Sequence, residues 1–333
     1  LDIEHLPVRQ DWVGTHNRLH ISNEASASVD FSRFLHVYSI TAADTLLFPS
    51  VDYCSLLGLL NAVGERSADR MPRIMLRFIG VMETTALDID PLTAGNHFRR
   101  RLREAMAAGV PVSVCAETPK YARELAKGLH CQIHTVPYIA PDISAVPLSS
   151  DGPVTFLAGG SAREDKGFYR LRNIISLVRQ RIDVSQARFI IQGPPPALFH
   201  HHPDYMAWLY ALPNAEILPG TVPYSEIERA FRESHVSLMP YDKATYAFRG
   251  SAMLMETMLF NRLAFCQGGT GFAEQCMLYN SGLICNTDEE FADAIAMYAG
   301  LSPARIEEQA AFARAHYVED VTGSCDAWMR GAA

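Results

Sequence analysis

Residues 246–265 read YAFRGSAMLMETMLFNRLAF, apolar enough for a core helix yet opening on Arg249-Gly250-Ser251 and carrying one carboxylate, Glu256. A core helix gains nothing from an unpaired buried charge, so Glu256 either reaches solvent or serves a ligand. Ser251 suits the N-cap of a helix that begins at Ala252, leaving the N–H groups of that first turn, around Ala252 and Met253, pointing outward. With Arg249 two residues before the cap, the helix start has the makings of a diphosphate site. Glu256 lies about one and a half turns in, where a carboxylate accepts from ribose or sugar hydroxyls. The plainer alternative pairs it with Arg249 or Arg262 on a helix surface, and the residues alone leave both open.

Composition sets the bounds. A chain of 333 residues with 48% hydrophobic and 20% charged residues has room for two ordinary domains and a substantial core. A formal net charge of −8 argues against a general nucleic-acid binder, which needs a basic face to neutralise phosphates. Seven cysteines are scattered with no C-x-x-C pair, which reads as reduced thiols in a cytoplasmic protein. No uninterrupted apolar run reaches the roughly 18 residues of a membrane helix, and the start shows no signal-peptide pattern. His200-His201-His202 do not converge on one face, so a polar loop is the better reading than a metal site, and no H-e-x-x-H pattern or hydrolytic triad suggests itself.

Along the chain, short apolar runs alternate with amphipathic helical stretches, the pattern of an α/β protein with parallel strands. Strands are expected at Thr45–Pro49, Arg73–Ile79, Pro111–Cys115, Gln132–Val136, Val154–Ala158, Ala187–Gln192, Ala215–Leu218, Val236–Met239, Leu263–Cys266 and Gly282–Cys285. Helices are expected at Phe98–Ala108, Pro119–Lys127, Phe168–Arg181, Tyr224–Ser234, Ala252–Phe260 and Pro303–Met329. The proline-rich stretch 137–153 reads as a linker. Three segments follow: an N-terminal domain over 1–147, a C-terminal domain over 148–302, and a closing helical segment over 303–333. Two such domains leave a cleft, the usual place for a ligand.

The C-terminal domain carries the chemistry. In VTFLAGGSAREDKGFYRLRNIISLV, residues 154–178, a strand runs into Gly159-Gly160-Ser161, then Lys166-Gly167 and a helix. Glycines there let backbone N–H groups approach a phosphate, and Arg163 and Lys166 add mobile positive charge; an ordinary charged loop is the competing reading. It is not a Walker A sequence and lacks G-x-G-x-x-G. ARFIIQGPPPALF, residues 187–199, ends a strand at Gly193. AEILPGTVPYSEIERAFRESHVSLMPY, residues 215–241, turns at Gly220 into a helix that Ser225 is placed to cap.

The ordered set Gly160 to Phe168, Ile191 to Pro194, Gly220 to Ile227, then Glu256 followed by Asn261-Arg262-Leu263-Ala264-Phe265 and Gly268-Gly269 resembles the donor domain of GT-B glycosyltransferases, in particular the retaining family 4. The departures are specific. The first Glu of that family's Glu-x7-Glu pair falls on Phe248, the arginine usual after Gly160 is Ser161, and G-x-P is Asn261-Arg262-Leu263. Residues 246–256 look like the version in an exopolysaccharide-assembly subgroup.

The resemblance implies two Rossmann-like parallel-sheet domains facing a cleft, with a C-terminal helix crossing back to the first. It implies a nucleotide-diphosphate sugar donor, UDP- or GDP-linked, a glycan, lipid-linked or small-molecule acceptor, retention of configuration, and neither metal nor other cofactor. Lys166, Arg249 and Glu256 would be catalytic. Gly160, Ser161, Arg163, Gly193, Thr221, Val222, Tyr224, Ser251, Ala252 and Met253 would hold the donor, with Thr221 to Tyr224 beside the base. A nucleotide-sugar 2-epimerase and a non-catalytic sugar-nucleotide-binding subunit are the competing functions.

In the N-terminal domain, AMAAGVPVSVCAETPKYARELAK, residues 105–127, resembles the family's last strand–helix unit, but the usual first strand with its glycine-rich loop is not found. An N-terminal piece is expected to be lacking. Arg99, Arg100, Arg101 and Arg103 read either as a patch for peripheral contact with anionic lipid at the inner membrane face or, more simply, as a solvated helix face near Glu104.

Overall fold

The computed structural model describes residues 21–51, 53–80, 91–138, 145, 147–148, 152–195 and 202–330. The chain forms two units: one runs up to Pro137 and takes in the chain again from Asp326, and the other spans Tyr138–Cys325.

The first unit opens with α1 (Ile21–Val37), followed by β1 (Thr45–Phe48), α2 (Tyr53–Gly64), β2 (Arg73–Phe78), α3 (Pro91–Ala107), β3 (Val112–Ala116), α4 (Pro119–Leu129) and β4 (His134–Thr135). Its strands lie in sequence order β1-β2-β3-β4, all parallel. The helix α1 has no counterpart among the sequence expectations. Its Ser-rich sequence buries, among the described side chains, a narrow row of Ala27, Phe31 and Leu35. What fixes it is a close approach to α2, where a Cβ on Gly58 would stand 2.5 Å from the Ala27 Cβ. The expected missing first strand concerns chain outside the described residues.

The second unit carries β5 (Val154–Ala158), α5 (Leu171–Val178), β6 (Ala187–Gln192), α6 (Pro203–Tyr210), β7 (Ala215–Leu218), α7 (Tyr224–Glu233), β8 (Val236–Met239), α8 (Ala252–Leu259), β9 (Leu263–Gln267), α9 (Gly271–Leu278), β10 (Gly282–Cys285), α10 (Asp288–Ala299) and most of α11 (Pro303–Arg330). Its six parallel strands run β10-β9-β8-β5-β6-β7. Every residue of β8 and of β9 is buried, as expected where helices cover both faces of a parallel sheet. All ten expected strands form, within two residues of their expected ends.

Two local readings need correcting. The helix α7 starts at Tyr224 with Pro223 as its N-cap residue and no side-chain cap, so Ser225 lies inside the first turn. Pro223 brings a pre-set backbone angle to that entry, so the N-cap lies two residues before Ser225. Arg262 is not a surface partner for Glu256. It is fully buried, and its guanidinium donates to the carbonyls of Phe231 (2.8 Å), Arg232 (2.8 Å) and Asn261 (3.0 Å). Asn261 adopts a left-handed conformation (φ +63°), the role a glycine takes in G-x-P. On α11, Ile306, Ala310, Tyr317 and Val321 join the cores of the second unit, and from Asp326 its last turns group with the first unit.

Candidate functional site

In the second sheet the strand order reverses between β5 and β8, and loops at the carboxyl ends of parallel strands leave a ligand crevice at such a point. The two loops that flank it are residues 159–167 after β5 and 240–251 after β8.

After β5, Gly160 (φ +83°) and Ser161 (φ +52°) are consecutive left-handed residues. Their N–H groups both donate to Oε1 of Gln192, at 2.7 and 2.9 Å. The expected N–H donors of this loop are therefore engaged by a side chain, one that the sequence did not single out. A Cβ on Gly160 would stand 2.9 Å from Lys166 Nζ and 3.7 Å from the Tyr241 hydroxyl, so a side chain there would push the ammonium from its place. Gly167 (φ +70°) ends the turn that delivers Lys166; a Cβ on it would meet the Pro240 carbonyl oxygen at 2.0 Å. Burial, then the neighbouring Arg163 charge, pulls the Lys166 ammonium below its ordinary range, against the attraction of Asp165 and Glu256.

Arg163 is held rather than mobile. Its guanidinium makes a two-pronged pair with Asp165 (2.9 and 2.8 Å) and donates to the Tyr246 hydroxyl at 3.0 Å. Burial works against its charge, but Asp165 and Tyr246 outweigh it and push the guanidinium above its usual range. The Tyr246 ring in turn carries Arg249, whose guanidinium carbon lies 5.6 Å from the ring centroid. Tyr246 packs on Tyr241 (4.8 Å) and Phe272 (5.9 Å), and Lys166 Nζ sits 5.8 Å from the Tyr241 ring centroid. The Tyr241 hydroxyl is buried beside Ser251 with no hydrogen bond of good geometry among the described residues.

The helix after β8 is capped as expected: the Ser251 hydroxyl accepts from Leu254 N at 3.3 Å. Met253 reaches back to the glycine loop, its Cε 2.8 Å from where a Cβ on Gly159 would be. Glu256 is half-buried. Burial raises its pKa above the ordinary 4.5, opposed by Lys166, and its charge is felt by the exposed Tyr224. Lys166, Arg249, Ser251, Met253, Glu256 and Tyr224 thus gather at the carboxyl ends of β5, β7 and β8. Gly193 N–H is taken up by the Leu218 carbonyl at 2.9 Å, while Thr221 is exposed and Val222 leans on the core.

A pH dependence follows for Glu256. Its folded pKa is raised, so the folded state holds the proton more tightly, and stability falls as pH rises from about 4.5 through the folded value. Glu256→Gln keeps the shape and removes the charge. It is expected to melt above the wild type at pH 7, with the gap closing toward pH 4.5, in melting curves taken across that range.

An open cavity of about 1000 Å³ adjoins the cluster. Asp165, Gly167 and Tyr241 line it with Arg170, Lys243 and Asp288, but none of the expected donor-binding residues does. In the first unit, Arg99 pairs with Glu124, Arg100 with Glu104, and Arg101 with Glu24 and Asn61. That favours the structural reading of the arginine helix over a lipid patch. His202 packs on Tyr169, while His200 and His201 lie outside the described residues. All seven cysteines are free. Among the described residues no three His, Cys, Asp or Glu side chains gather to hold a metal ion, and no helix is long and apolar enough to cross a membrane.

No protein-family model matches the sequence, and no curated protein matches it. Solved structures do. A mutant of S. aureus TarM, in complex with fondaparinux, alpha-GlcNAc-glycerol and UDP, matches with a TM-score of 0.67 at 12% identity, over 91% of this chain and 58% of that one. Sucrose-phosphate synthase from Thermosynechococcus elongatus matches at 0.60 and 12% identity, over 89% and 74%. The catalytic domain of starch synthase IV from Arabidopsis thaliana, bound to ADP and acarbose, matches at 0.58 and 12% identity, over 94% and 78%. The chain spans less than two thirds of the TarM chain. With its two parallel-sheet units, the protein has the GT-B fold of glycosyltransferases.

Proposed function

We propose that this protein transfers a sugar from a nucleotide-diphosphate sugar, UDP- or GDP-linked, to a glycan, lipid-linked or small-molecule acceptor. In this reading it is a retaining, metal-independent enzyme of the family 4 type, acting in the cytoplasm in polysaccharide biosynthesis. The observation that carries the reading is the meeting of Lys166, Arg249 and the Ser251-capped start of α8 at the strand-order reversal of a GT-B sheet.

Breaking the glycosyl–phosphate bond leaves growing negative charge on the β-phosphate oxygen. In this reading the half-buried Lys166 ammonium meets it, which requires less rearrangement than water does. Arg249, perched on Tyr246, adds a second cation, and the free N–H groups at the start of α8 add a dipole. Arg163, locked on Asp165, acts by fixing Tyr246 rather than by reaching a phosphate. Glu256 orients ribose or sugar hydroxyls, and Thr221 to Tyr224 border the base.

A second reading, a non-catalytic sugar-nucleotide binder, draws on Phe248 at the place of the family's first glutamate. Incubation with candidate donors separates the two. Slow release of free sugar or its transfer supports the enzyme, whereas nucleotide binding without turnover of any donor supports the binder. The 2-epimerase alternative would convert the donor sugar without an acceptor, which the same incubation detects.

A further inference from the structure

Gln192 closes β6 and is 8% exposed. One amide there serves two loops. Its oxygen accepts from Gly160 N and Ser161 N (2.7 and 2.9 Å), and its nitrogen donates to the Gly220 carbonyl at 3.1 Å. The first partners belong to the loop that delivers Lys166, and the last begins the turn that leads to Thr221 and Tyr224. Both loops are built for close approach. Ser161 is a non-glycine residue held left-handed at φ +52°, a strained conformation that persists only where its surroundings fix it. A Cβ on Gly220 would stand 2.2 Å from Pro195 N.

We propose that Gln192 is a positioning residue that ties the phosphate-side loop at Gly160-Ser161 to the base-side loop at Gly220, so that the two halves of the donor site are ordered as one. The inference rests on the donor site assigned above. A buried amide with three backbone partners is not released cheaply, so Gln192 holds the loops rather than giving way to a phosphate. A nucleoside diphosphate engages both loops and benefits from their fixed spacing. Inorganic diphosphate engages only the first.

Calorimetric titration of the full chain with UDP, GDP, ADP, CDP and inorganic diphosphate tests this. Gln192→Met keeps the shape and removes all three hydrogen bonds. It is expected to weaken the nucleotide that binds wild type about tenfold or more, and inorganic diphosphate less than about threefold. Gln192→Glu keeps the acceptor and loses only the donor to Gly220. Its added charge repels inorganic diphosphate at least as strongly as the nucleotide, so a larger loss for the nucleotide again isolates the link. Equal losses for both ligands, or none, overturn the proposal while leaving the donor site intact. Absence of binding by wild type overturns the donor site itself.

Discussion

Lys166→Ala is expected to slow the proposed sugar transfer about 10²–10³-fold, the range seen when one preorganised electrostatic contact to a developing charge is removed. The lysine sits over the Tyr241 ring, attracted by Asp165 and Glu256. Its ammonium is half-buried between Tyr241 and the glycine loop, where burial and Arg163 pull it below its ordinary range. A group that costs folding free energy to keep charged is retained for a ligand of opposite sign. The loss should fall mainly in kcat, with the melting temperature of the variant unchanged or higher. The wild-type rate should also fall as pH rises through the lowered lysine value, earlier than an ordinary lysine at 10.5 would allow. Steady-state kinetics on the donor identified by binding would check it, and a rate within threefold of wild type would remove Lys166 from the mechanism.

Arg262→Met gives the second large effect, and it is one of stability. The fully buried guanidinium serves the carbonyls of Phe231, Asn261 and Arg232 at once, where α7 ends and β9 begins. Methionine fills the space but leaves three acceptors without a donor. Burial makes the arginine itself expensive, pulling its pKa down to about 10, which offsets part of the loss. The net destabilisation is about 2–4 kcal/mol, or roughly 5–15 °C in melting temperature for a unit of this size. Calorimetry of the variant checks it; a melting temperature within about 2 °C of wild type would show that the carbonyls find other partners.

Much of the fold was readable in advance because parallel strands buried on both faces are near-continuous apolar runs, as Leu263–Gln267 and Val236–Met239 illustrate. The Ser251 cap was equally legible, since a small hydroxyl before an apolar run has one natural place. What escaped the sequence depended on tertiary contact. Gln192 at a strand end looks like any polar residue until three backbone groups surround it. Arg163 reads as a mobile cation until Asp165 and Tyr246 hold it. Arg262 reads as a surface charge because nothing local announces three carbonyls around it. The helix α1 shows three buried apolar residues among its described side chains, and it is the notch at Gly58 that seats it.

Whether the second unit holds a nucleoside diphosphate at its strand-order reversal is decided by thermal shift with UDP, GDP, ADP and CDP, alone and as their common sugar conjugates, on wild type, Lys166→Ala and Arg249→Ala. One nucleotide should raise the wild-type melting temperature, and both variants should lose that stabilisation. A shift that persists undiminished in both variants would place the nucleotide elsewhere, and no shift with any of them would reduce the likeness to glycosyltransferases to architecture alone.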